Sequence, residues 1–157
     1  MTHAFATVAI PFAEARQEEV EAVLRAMGAP PNEAVRAAVD ETKLIHFMSI
    51  NVIPQTRPGK AHLLIEVSAD GSVQEALRAV AKALGNQLAQ VLELMGRGNH
   101  FGRNPDALAR LLIRHHRSIG QSWFARAVGL PFDGTPGMSV QRLGKERELA
   151  AHVSRMG

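Results

Sequence analysis

The chain has no cysteine and no tyrosine, a single tryptophan, six phenylalanines, and no long uninterrupted apolar run in its 157 residues. Without cysteine there is no disulfide framework, no thiolate nucleophile and no zinc site built on thiolates. No stretch approaches the roughly 18 to 20 apolar residues that a membrane-spanning helix needs. The opening Met1-Thr-His-Ala-Phe5 has neither the basic segment nor the apolar core of a signal peptide. These absences fit a soluble chain in a reducing cytoplasm, the location expected for it, with no membrane partner.

The scarcity of aromatics bears on nucleic acid as well. A net charge of +3, from 18 Lys and Arg against 15 Asp and Glu, is a slight excess spread along the chain. The nearest thing to a basic patch is Arg103, Arg110, Arg114, His115, His116 and Arg117. It lacks the interleaved aromatic platforms on which bases stack, so nucleic acid is not an expected partner. Sequence signatures of nucleotide or hydrolase chemistry are missing too: there is no G-x-S-x-G, no G-x-x-x-x-G-K-[ST] and no H-E-x-x-H.

What is present is a fold pattern. Between His3 and Ile10, Ala4, Ala6, Val8 and Ile10 alternate with Phe5, Thr7 and Ala9, a first strand that Pro11 is expected to stop. From Ala13 to Met27 the period changes. Val20, Val23, Leu24 and Met27 make one stripe of a helix, with charges opposite. After Pro30-Pro31, Asn32 can cap a short helix over Glu33 to Val39.

Two apolar runs, Leu44 to Ile53 and Ala61 to Val67, then flank the loop Pro54 to Lys60 and read as paired strands. In the first, His46, Met48, Ile50 and Val52 share a face opposite Ile45, Phe47, Ser49 and Asn51. The second sets Ala61, Leu63, Ile65 and Val67 against His62, Leu64, Glu66 and Ser68.

Asp70-Gly71 is a tight turn, and Ser72 with Glu75 is spaced as a capping box opening a helix at Val73. Gly85-Asn86 ends or bends that helix before a further piece over Gln87 to Leu94, and Gly96 to Asn104 is a glycine-rich loop. Asn104-Pro105 is an N-cap and N1 pair for a helix to about His115. Ser122 to Val128 reads as a fourth strand, with Phe124 and Arg126 on one face. The segment from Ser139 reads as an amphipathic helix.

Strand, helix, strand, strand, helix, strand is the order of a ferredoxin-like α+β sandwich: a four-stranded antiparallel sheet with helices on one face, here with extra C-terminal helices. We expect one domain over 1–157, its core in 1–128 and a helical appendage in 129–157. The uncovered sheet face mixes phenylalanines with polar groups, which suits either a small anionic or carbonyl ligand held by His62, Glu66, Arg126 and Asn51, or a second subunit. No catalytic residue and no metal ligand are assigned. His46, among apolar neighbours, reads as a hydrogen-bonded core or edge histidine. The adjacent His115 and His116 cannot chelate together and suit cations at a helix C-terminus.

At Ile45-His46-Phe47, at His62-Leu-Leu-Ile-Glu-Val-Ser-Ala-Asp-Gly71 and at Gly137-Met-Ser-Val-Gln-Arg-Leu-Gly-Lys-Glu146, the chain resembles the N-terminal module of bacterial proteins related to the catalase and peroxidase families. That resemblance implies an accessory module travelling with a haem-binding region, and haem as the cofactor to consider. It also implies an arginine two positions after the His-Phe pair, where Ser49 stands. A catalase-type haem takes a tyrosine ligand, which this chain lacks, so a bound haem needs a histidine.

The function expected is therefore an accessory ligand-binding or dimerisation module, a homodimer associated with a haem peroxidase-like system. The alternative is a small oxidoreductase of the dimeric α+β barrel type, with haem or an organic substrate on the open sheet face.

Overall fold

A computed structural model describes residues 3–29, 33–54, 58–117 and residue 145. The chain runs β1 (His3–Ala13), α1 (Gln17–Gly28), α2 (Glu33–Asp40), β2 (Ile45–Pro54), β3 (Lys60–Asp70), α3 (Val73–Ala83), α4 (Gly85–Leu94), α5 (Pro105–His115) and β4 (His116–Arg117). The four strands form one antiparallel sheet in the order β2-β3-β1-β4, the ferredoxin-like arrangement. No helix among the described residues is long and apolar enough to cross a membrane.

Alternation along the two central strands builds the core. Ala4, Ala6, Val8, Ile10 and Phe12 of β1, with Ala61, Leu63, Ile65, Val67 and Ala69 of β3, are all buried. Met48, Ile50 and Val52 of β2 pack against them. The helices lay Val20, Leu77, Val80, Leu88, Leu92, Leu108 and Leu112 on this face. Leu77 and Val80 of α3 lie one turn apart, so a single helical stripe meets the pleated surface.

Side-chain caps set where the helices begin. Gly71 turns the chain at φ +89°, and Ser72 opens α3 with the reciprocal capping box expected from its spacing. The Ser72 hydroxyl accepts from the Glu75 amide at 3.2 Å, and the Glu75 carboxylate accepts from the Ser72 amide at 2.8 Å. Hydrogen bonding of the carboxylate to Ser72, first to its side chain and then to its backbone amide, holds the Glu75 pKa below its usual 4.5. Asn104 caps α5 by accepting from the Ala107 amide at 2.9 Å, with Pro105 at the first helical position.

Two expectations are corrected. Pro11 does not stop β1, which stays in register with β3 out to Ala13 opposite Lys60. The Pro11 carbonyl accepts from the Arg97 guanidinium at 2.9 Å. In an antiparallel strand a residue's N–H and C=O point to the same side, so proline's missing donor faces away from β3 and costs that ladder nothing. A two-residue strand that the sequence pattern did not announce, β4, also runs directly off α5 at His116–Arg117.

The second correction concerns β2, where the ladder shifts register between Ile45 and Phe47. This bulge puts Ile45 in the core, 7% exposed, and turns His46 to the opposite face from Met48. The expected strand Ser122 to Val128, with Phe124 and Arg126, lies outside the described residues. So does the segment 129–157 except Lys145, which is helical.

Candidate functional site

The uncovered face of the sheet is organised in rows that the register defines. Phe47, Ser68 and Phe5 form one row across β2, β3 and β1. The next row is Ser49, Glu66, Thr7 and Arg117, reaching β4. Asn51, Leu64 and Ala9 follow, then Ile53, His62 and Pro11. A sheet face made for water alternates to polar side chains. This one leaves Phe5 49%, Phe47 60% and Ile53 45% exposed.

Between the apolar residues runs a short polar chain. The Asn51 amide donates to the Ser49 hydroxyl at 3.2 Å, and that hydroxyl donates to Glu66 at 3.1 Å. The structure thus brings together two of the residues expected to bind a ligand, Asn51 and Glu66, with Ser49 between them. His62 shares their face but stands four residues from Glu66 along β3, roughly 13 Å away at strand rise. Arg126 lies outside the described residues.

The more compact constellation was not read from the sequence. Above the phenylalanine row, the bulge brings His46 to Asp70, and the β1–β3 register sets His3 opposite the same Asp70. The His46 Nε2 lies 2.9 Å from the Asp70 Oδ1, and the His3 Nδ1 lies 3.7 Å from that oxygen. One potential ligand atom from each residue falls within 4.8 Å of the other two. The imidazole rings are tilted by 42° with centroids 5.3 Å apart. All three side chains are only 13 to 14% exposed. His46 is indeed a hydrogen-bonded edge histidine, on the face opposite to the one its alternation suggested.

A cavity of about 520 Å³ lies between the end of α1, α2 and the start of β2, with Met27, Val35, Arg36, Ile45, His46 and Phe47 in its wall. Neither His62, Glu66 nor Asn51 lines it.

At the other side of the sheet, His115 closes α5. Burial, then Arg97 and Arg117, push its pKa below the usual 6.5, while a hydrogen bond to the Ala9 backbone opposes the shift. Its surroundings therefore favour the neutral ring, which corrects the expectation of a cation on the helix dipole. Comparison with protein-family models, with curated proteins and with solved structures found no match to the chain.

Proposed function

We propose that the chain is an accessory module that dimerises through the open face of its sheet and holds a small ligand at the polar chain Asn51, Ser49 and Glu66. The observation that carries this reading is the concentration of Phe5, Phe47 and Ile53, all exposed, on that one face. Covering apolar surface yields about 25 cal/mol per Å², so three such side chains on one face reward a partner.

Charge favours a second copy as that partner. Glu66 on β3 and Arg117 on β4 share a row and flank β1, roughly 9 to 10 Å apart at the usual strand spacing. A twofold axis along β1 lays Glu66 over the partner's Arg117, Arg117 over the partner's Glu66, and Phe5 against the partner's Phe5. Such an isologous contact is self-complementary in sign as well as in shape.

Sedimentation velocity of the full chain tests this. The expected result is a dimer that becomes monomeric in Phe5→Asp, weakens in Glu66→Arg, and is restored when Glu66→Arg is combined with Arg117→Glu. A wild-type monomer at all concentrations, or a double exchange no better than the single one, overturns the reading. A Soret band on adding haemin, lost in His62→Ala, would move the assignment to the oxidoreductase of the dimeric α+β barrel type.

A further inference from the structure

The geometry points to a metal site: we propose that His3, His46 and Asp70 bind one divalent transition ion of the zinc or iron(II) class. This does not depend on the dimer. Two imidazoles and one carboxylate are the donor set of mononuclear zinc sites that keep a position for water, and of non-haem iron(II) sites. The donors converge as such a set must. Zinc bonds to nitrogen and oxygen of about 2.0 to 2.1 Å at tetrahedral angles place neighbouring donor atoms about 3.3 Å apart. Here the Asp70 oxygen is 2.9 Å from His46 and 3.7 Å from His3, on either side of that figure, with all three atoms inside 4.8 Å. The two distances to Asp70 are each within about 0.4 Å of the tetrahedral figure, and the two imidazole nitrogens, inside 4.8 Å of each other, draw together to close the set around an ion.

The scaffold makes the convergence a property of the fold rather than of one flexible loop. His3 opens β1, His46 sits at the bulge that opens β2, and Asp70 closes β3, so three strands of one sheet each supply a donor. Asp70 is further fixed by its backbone amide, which donates to the Leu44 carbonyl at 2.8 Å. A bulge that re-aims a side chain is a recurrent device beside functional sites. Without it His46 would face the core with Met48. His46 also lines the cavity between α2 and β2, which gives an ion or a small ligand on it a route from outside.

The test is calorimetric titration of the chelator-stripped full chain with zinc chloride, repeated with cobalt(II), whose visible spectrum reports the donor geometry. One ion per chain is expected. Outer-shell changes alone cost metal sites about 10- to 100-fold in affinity, so losing a donor should cost at least about 100-fold. His3→Ala, His46→Ala and Asp70→Asn are each expected to show that loss, while His100→Ala, on a separate turn, binds as wild type. Asp70→Asn keeps the side chain's size and a hydrogen-bonding oxygen, and circular dichroism of each variant separates lost binding from lost folding. Absence of binding heat in the wild type, or undiminished affinity in the folded variants, overturns the site.

Discussion

The two faces of the sheet are made from the same strands, residue by alternate residue, and differ in what they do with apolar side chains. On the core face aliphatic residues meet helices: Ile65 lies between Val8 and Ile50 in the ladder and is fully buried. On the open face apolar residues, phenylalanines among them, stand interspersed with polar groups, as in the Phe47, Ser68, Phe5 row beside Ser49 and Glu66. One face is finished by the chain itself. The other has the composition of a surface finished by something else, and a dense cluster of donors, His3, His46 and Asp70, sits at its end.

The sharpest way to break that contrast is to truncate one apolar residue on each face. Ile65→Ala removes a fully buried side chain between three strands and is expected to cost about 2 to 5 kcal/mol in urea unfolding, the usual range for opening a core cavity. Phe47→Ala on the open face, measured in the monomeric Phe5→Asp background, should stay within about 0.5 kcal/mol of that background, as exposed substitutions do. Equal costs would mean that the open face is packed within one chain, and the comparison would collapse.

A second change tests how the helices are fixed to the core face. Gly71 joins β3 to α3 at φ +89°, and a Cβ there would lie 2.8 Å from the Glu75 carboxylate oxygen that caps the helix. Gly71→Ala therefore strains the backbone and displaces the cap, with an expected loss of about 1 to 2 kcal/mol. Gly59 also has a positive φ, +87°, but a Cβ there meets nothing within 4 Å. Gly59→Ala should cost only the backbone part, about 1 kcal/mol. If denaturant melts show the two alanines to be equally costly, the capping box contributes nothing to the attachment of α3.

The contrast between the faces also explains how much could be read in the sequence. On β3 the alternation of Ala61, Leu63, Ile65 and Val67 with His62, Leu64, Glu66 and Ser68 is clean, so its register was legible, as were the caps at Ser72 and Asn104, whose signals are local. On β2 both faces carry apolar residues: Met48, Ile50 and Val52 on one, and Phe47 and Ile53 around Ser49 and Asn51 on the other. A one-residue bulge leaves no mark in such a pattern, and the face of His46 was misread. His3, His46 and Asp70 lie far apart along the chain and meet only through strand pairing. A composition with scattered histidines does not announce a cluster that register creates. Pro11 misled because a strand-breaking residue is harmless when its missing donor points out of the ladder.

The smallest expected effect is the most specific, and it concerns the edge where β4 joins β1. His115 holds its pKa below 6.5, chiefly through burial and then through Arg97 and Arg117. In the unfolded chain this ring takes up its proton as the pH falls through about 6.5, while in the folded chain it does so only at lower pH. Between the two values the unfolded state binds more protons, so acid favours unfolding and stability rises with pH. The stability is fully present above 6.5 and is lost as the pH falls from there toward the folded value. Glu75 acts in the same direction, but only where the pH falls toward and through 4.5, so a series from pH 7.5 to 5.5 leaves the carboxylate out, and the difference between wild type and a His115 variant separates this ring from the other histidines. Across that series His115→Gln should flatten the dependence of stability on pH relative to wild type. An unchanged slope would mean that the ring is as well hydrated in the folded chain as in the unfolded one, and that this edge of the sheet is open to water as the face beside it is.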